Sequence, residues 1–301
     1  MINNKDIEEL NRCILCGNVP LVVDKKFGML LGLVPPYEVK HCPECGLRWL
    51  SPRPTPSAYS KLYSYERYFD GSSTVEDYPK IAKERRFGFR KRIQMLEKIL
   101  TGRKNLKILD IGAATGEFVH EALLRGHDAT GIELSEGAKQ VAKEKYGIEL
   151  LGTEIEALEP TEKYDVVHMS HVLEHLIDPV RTLNICQSLL RNGGILVIEV
   201  PQQFYNDLDR LKNMLGMSRK SEFNAYSLHH TFFFNPENMS DLLKKTGFII
   251  KSIKTANKNR TPLYPFSIKN LFLRYYLWLS DILHHGGNII EVYAESRRQD
   301  I

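Results

Sequence analysis

An α/β fold with a mostly parallel sheet covered on both faces, preceded by a small cysteine-bearing module, is the architecture this sequence predicts. Three observations carry it. Short β-branched runs alternate with helical segments from residue 106 to 200, which implies crossover units. Two Cys-x2-Cys pairs crowd the first 50 residues. A proline-rich stretch, SPRPTP at 51–56, separates the two regions; proline fixes the backbone and interrupts regular pairing.

Taken in order, residues 11–50 form the N-terminal module and 51–76 a Pro/Tyr-rich linker. Residues 77–301 form the main domain. A helix-like spacing of Ile81, Phe87, Ile93, Leu96, Ile99 and Leu100 opens it. Strands are expected at 106–112, 128–134, 148–152, 164–170 and 194–200, with helices at 116–125, 135–146 and 178–190. Ser135 and Asp178, the latter followed by Pro179, are helix caps. The alternation breaks after Pro201. Residues 202–230 are polar and too long for a plain connection, which suggests a lid over a substrate. A capped helix (235–248), a strand (248–254) and a final strand within 286–294 complete the chain.

Composition narrows the function. The 41 basic and 37 acidic residues leave a net charge of only +4, far from the concentrated basic face of a dedicated nucleic-acid binder. No run approaches the roughly 18 apolar residues that span a bilayer. The polar start MINNKDIEEL does not have the form of a signal peptide, so a cytoplasmic location is expected. The helix-like, aromatic stretch 267–285 reads as a packed helix, a dimer contact or a peripheral membrane contact.

The strongest chemical signal is ILDIGAATG, residues 108–116. A buried strand delivers Asp110, and Gly112 and Gly116 allow a tight turn and close backbone approach to a ligand. The following helix start can receive an anionic group. Glu133 ends the next strand, where a carboxylate can hold a ribose. Glu117 stands where a pyrophosphate would lie in a G-x-G-x-x-G motif, which argues for a nucleoside ligand without pyrophosphate.

DIGAATG, GIELS, YDVVHMSHVLEHLIDP and NGGILVIEVP together resemble the successive motifs of class I S-adenosylmethionine (SAM) dependent methyltransferases, over about residues 77–255. The resemblance implies a Rossmann-like, seven-stranded sheet with its last strand antiparallel. It further implies that Asp110, Gly112, Ala113 and Gly116 line the methionine side, Glu133 holds the ribose, Leu134 packs on adenine, and Thr153 or Glu154 lies near its amino group. Ser170 and His171 would face the reacting sulfur. Ala114 stands where the family often has glycine.

Cys13, Cys16, Cys42 and Cys45 form CILCG and CPECG, with 25 residues between the pairs. Two thiolates at i and i+3 clasp one ion, and four suit tetrahedral, structural Zn2+. His41 is a less favoured substitute, and Cys186 reads as a buried helix residue. A zinc ribbon, PRP and a Tyr-rich patch ahead of a SAM domain resemble a bacterial group of methyltransferases that includes deoxysugar-modifying enzymes. That resemblance makes Tyr65 and Tyr68 candidate substrate contacts.

For proton removal from an acceptor, histidine is the natural base. His230 is the first candidate and His171 the second, with His175 and His229 as possible substrate contacts. The expected activity is methyl transfer from SAM to a small-molecule acceptor, such as a nucleotide-linked sugar or cell-surface precursor. The competing readings are an RNA methyltransferase that grips RNA through the zinc module, and a non-catalytic SAM-fold binding protein.

Overall fold

The computed structural model describes residues 6–58, 78–158, 162–203, 228–257, 275 and 286–297. Tyr65, Tyr68, residues 204–227 of the expected lid and all of 267–285 except Tyr275 lie outside them.

The N-terminal region contributes β1 (Ile7–Glu8), β2 (Val22–Val23), α1 (Lys25–Leu30), β3 (Glu38–His41), β4 (Arg48–Ser51) and β5 (Arg53–Pro54). Asp24 caps α1, accepting from Phe27 N, and also pairs with Arg48 at 2.8 Å. The main domain opens with α2 (Tyr78–Ile99) and runs through β6 (Lys107–Ile111), α3 (Glu117–Leu124), β7 (Asp128–Ile132) and α4 (Glu136–Tyr146). It continues with β8 (Tyr164–Ser170), α5 (Pro179–Leu189), β9 (Leu190–Pro201), β10 (Phe232–Phe233), α6 (Pro236–Lys245), β11 (Phe248–Ala256) and β12 (Ile289–Ser296).

The helices start where their sequences provide caps. Ser135 Oγ accepts from Ala138 N, and Asp178 accepts from Arg181 N ahead of Pro179. Asn235 and Asn238 form a reciprocal capping box on α6. Cys186 is buried on α5, as its helical position suggested.

The central sheet has the order β11-β12-β9-β8-β6-β7. β12 runs antiparallel to both neighbours, and β9, β8, β6 and β7 are parallel. The central strands β6, β8 and β9 are buried on both faces and mostly apolar, as a sheet covered on both sides requires. Seven strands were expected; six form among the described residues. The missing one, 148–152, touches β7 through a single parallel bridge, Ile132–Leu151. Its two bonds, Leu151 N to Gly131 O and Glu133 N to Leu151 O, are both 2.9 Å. A flanking strand this short sustains one bridge and no ladder.

The N-terminal sheet has the order β10-β4-β3-β2, so it recruits β10 from the main domain. Phe232 lies opposite Trp49 and Phe233 opposite Arg48, and Leu50 N donates to Thr231 O at 2.9 Å. Trp49 is fully buried, and Cys13, Leu15, Cys42, Leu47 and Trp49 share one hydrophobic core with β8, β9 and α6. Lys245 Nζ, at the end of α6, donates to Ile14 O (3.1 Å) and Leu15 O (2.6 Å). Arg53 bonds Ile177 O at 2.6 Å. No helix among the described residues is long and apolar enough to cross a membrane.

Candidate active site and metal centres

The loop after β6 sits at the carboxyl edge of the sheet, where open α/β sheets receive ligands. Gly112 (φ 68°) and Gly116 (φ 79°) both adopt the left-handed region. Their lack of a side chain serves the protein's own packing. A Cβ on Gly112 would lie 2.5 Å from Val172 Cγ2, and one on Gly116 would lie 3.1 Å from Ala142 Cβ. Ala114 is also left-handed, at φ 48°, a backbone conformation that favours glycine. Ala113 is buried against the Val119–Ala142 cluster.

Glu133 turns toward this loop. Its Oε2 accepts from Ala114 N and its Oε1 from Ser135 N, both at 2.9 Å. The carboxylate therefore lies on the rim of the crevice, with Leu134 beside it 43% exposed. Helix α3 begins at Gly116 with no side-chain cap, an arrangement open to an anionic group. Thr153 and Glu154 follow the Leu151 bridge; Thr153 is partly buried and Glu154 exposed.

Asp110 is buried and committed inward. Its Oδ1 lies 2.6 Å from His168 Nδ1, and His168 Nε2 lies 2.9 Å from Arg92 Nη1. Because the guanidinium can only donate, His168 carries its proton on Nδ1 and gives it to Asp110. Burial holds the His168 pKa below its ordinary value despite the neighbouring carboxylate, consistent with that neutral ring. Arg92 also pairs with Glu199, and with Glu291 at 3.4 Å. The carboxylates outweigh the burial that opposes its charge and raise its pKa further. Sequence reasoning missed Arg92, His168, Glu199 and Glu291. The signal was available in three of them: an ionisable residue inside an otherwise apolar buried strand needs a partner.

Ser170 Oγ donates to Glu199 Oε1 at 2.9 Å. His171, the next residue, adopts φ 57°, a conformation uncommon for a non-glycine residue, and its N donates to Glu199 O at 2.8 Å. Its imidazole is 31% exposed and lies between two carboxylates, with Nδ1 3.3 Å from Glu174 Oε1 and Nε2 3.4 Å from Glu199 Oε1. The Val172 side chain contacts the Gly112 loop, so the cofactor-type turn and His171 are neighbours.

The segment before β10 meets the turn Leu173–His175. Thr231 N donates to Glu174 O at 2.8 Å. The His175 and His230 rings approach to 4.7 Å, and His175 Nδ1 lies 2.7 Å from His229 O. His230 Nδ1 lies 2.7 Å from Gln203 Oε1. Burial, followed by the field of His175, pushes the His230 pKa down to about 3. Burial also lowers those of His175 and His229. The four histidines named from sequence, His171, His175, His229 and His230, thus converge at one edge, all partly buried, with the His171 imidazole 31% exposed.

The four cysteine sulfurs lie within 4.8 Å of one another. Cys13 and Cys45 are 3.5 Å apart, as are Cys16 and Cys42. Tetrahedral Zn–S bonds of about 2.3 Å place sulfurs about 3.8 Å apart, so the donors fit that ion. Gly17 (φ 77°) and Gly46 (φ 70°) close the knuckles, donating to Cys13 O and Cys42 O at 2.8 and 2.9 Å. His41 is not among the clustered donors.

Residues 82–253, more than half of the chain, match the family described as Methyltransferase domain. The chain is 29% identical over 167 residues to a ubiquinone biosynthesis O-methyltransferase of Marinobacter nauticus, covering 51% of this chain and 68% of that protein. It is 22% identical over 196 residues to the protein of the same name from Acinetobacter baylyi, covering 61% and 80%. Magnesium protoporphyrin IX methyltransferase from Synechocystis PCC 6803, solved with bound SAH, superposes with a TM-score of 0.53 at 15% identity, over 81% of this chain and all of that one. With the turn after β6, Glu133 on its rim and the matched motifs in one span, the chain belongs to the methyltransferase-domain family and has the fold of SAM-dependent methyltransferases.

Proposed function

We propose that this protein transfers a methyl group from SAM to a hydroxyl of a small-molecule acceptor. SAM supplies an electrophilic methyl on a sulfonium, and alignment of the acceptor provides much of the acceleration. In this reading the Gly112–Gly116 turn and the α3 start hold the methionine end, with Asp110 buttressing that turn through His168. Glu133 holds the ribose, Leu134 flanks the adenine, and Thr153 and Glu154 stand on its far side. Ser170 and His171 face the methyl.

The observation that carries the reading is His171, held at a strained backbone angle between Glu174 and Glu199 beside the cofactor-type turn. Two carboxylates stabilise the imidazolium that forms when it takes the acceptor's proton. This favours His171 over His230, the first candidate from sequence, as the proton acceptor; a ring with a pKa near 3 is a weak base. The names of the relatives support oxygen as the methylated atom. A nucleotide-linked sugar or cell-surface precursor remains a specific acceptor class to test, with Tyr65, Tyr68 and His229 as contacts and residues 202–230 as its lid. Residues 11–50 would be a structural zinc module rather than an RNA grip. Of the basic residues beside the cysteines, Lys40 pairs with Glu9 at 2.9 Å and Arg48 with Asp24 at 2.8 Å.

Calorimetry of the zinc-loaded chain with SAM tests the reading directly, and absence of binding would remove it. His171→Asn is expected to lower kcat by roughly 10²–10⁴-fold while SAM affinity stays within about twofold. An unchanged kcat would exclude His171 as the base.

A further inference from the structure

We propose that Glu174, His175 and His230 form a second metal site, which takes a single divalent cation of the Mn2+, Fe2+ or Zn2+ class beside His171. One donor atom from each residue lies within 4.8 Å of the others. Bonds of about 2.0–2.2 Å require separations of about 3–3.5 Å, a side-chain adjustment of roughly an ångström.

Three features make this more than proximity. Glu174 is 1% exposed, and neither of its carboxylate oxygens has a hydrogen bond of full geometry among the described residues; its neighbouring donor is His171 Nδ1, 3.3 Å from Oε1. A buried carboxylate in that condition is costly. Secondly, the tautomers are set by the surroundings. The carbonyl of His229 and the amide oxygen of Gln203 can only accept, so His175 and His230 each donate from Nδ1. The lone pairs then lie on both Nε2 atoms. Thirdly, His175 Nε2 faces Glu174 Oε1 at 3.8 Å, a lone pair opposite a carboxylate oxygen. A cation between them turns that repulsion into ligation. Metal-bound histidines characteristically donate their other ring N–H to a carbonyl or similar acceptor, and both rings here do.

Two imidazoles and one carboxylate with positions left over match a facial site for a borderline divalent ion. A cation here would bind an acceptor's hydroxyl oxygen and ease loss of its proton, to be taken by His171. That use rests on the proposed methyl transfer; the existence of the site does not.

The test is Mn2+ titration of the full-length protein brought to one Zn2+ per chain, which the four thiolates take first, followed by the EPR signal of free Mn2+. Thiolates are poor ligands for Mn2+, so the cysteine cluster does not compete. One Mn2+ per chain is expected, weakened at least roughly tenfold by Glu174→Gln and by His230→Ala, and unchanged in His229→Ala, which keeps the carbonyl. Zinc content and SAM affinity of each variant report on folding. Co2+ added to the zinc-loaded wild type gives a check that needs no variant: weak visible bands without intense thiolate charge transfer are expected. No Mn2+ uptake below about 1 mM by the wild type, equal uptake by a folded His230→Ala protein, or a thiolate band with Co2+ would overturn the site. SAM binding without Mn2+ uptake would remove this inference alone, and Mn2+ uptake without SAM binding would support it while removing the methyl-transfer reading.

Discussion

The molecule holds two clusters of metal-type donors, and they are built in opposite ways. The cysteine cluster takes its ligands from two local turns, each closed by its own glycine, 13–17 and 42–46. The Glu174–His175–His230 cluster takes adjacent residues from one turn and a third from a segment 55 positions later, brought in by a two-residue strand. The first is defined by covalent spacing. The second exists only when the tertiary fold is complete. A site of the first kind suits structural support, and one of the second kind can respond to what binds near it.

The two are mechanically linked. β4, which follows the second knuckle, pairs with β10, and β10 starts two residues after His230. The largest expected effect therefore comes from Cys42→Ser. It should release the zinc, lower the melting temperature by several degrees and reduce turnover at least roughly tenfold, about 1.4 kcal/mol in the barrier, because His230 and Thr231 lose their register. Zinc analysis, calorimetry and steady-state kinetics check this; full turnover in a zinc-free protein would break the link.

Gly112→Ala should have an intermediate effect. The new Cβ meets Val172 at 2.5 Å on a left-handed residue, which costs about 1–3 kcal/mol and displaces the neighbour of His171. Denaturant unfolding and SAM calorimetry should show both a lower midpoint and weaker binding, while zinc content stays unchanged. Loss of zinc in this variant would mean that the two regions are less separable than their construction implies.

The smallest effect is expected at Ala114. At φ 48° alanine carries about 1–2 kcal/mol of strain. Ala114→Gly relieves it but adds about 0.5–1 kcal/mol of unfolded-chain entropy. A net stabilisation of about 0.5 kcal/mol should be visible by denaturant unfolding, and a clear destabilisation would show that the alanine methyl contributes packing.

Much of this was legible in the sequence. The alternation of strands and helices, the caps at Ser135 and Asp178, the glycine turn and the cysteine knuckles are local features, and local spacing encodes them. The short edge segment at 148–152 was overstated because its apolar pattern does not reveal how far a neighbour extends. Arg92 and Glu291 could not be paired with His168 and Glu199, since that network joins a helix to three strands across the sheet. The packing partner of Gly112 was hidden for the same reason: Val172 is 60 positions away.

Lys245 reaches from the last turn of α6 to two carbonyls of the first knuckle, and β10 closes the N-terminal sheet. A truncated chain starting at α2 would be left with an unpaired strand edge flanked by Phe232 and Phe233, both normally shielded from water. Such a fragment is a candidate for aggregation rather than a smaller working enzyme. Domain swaps or shortened expression products of this protein should retain its first 58 residues.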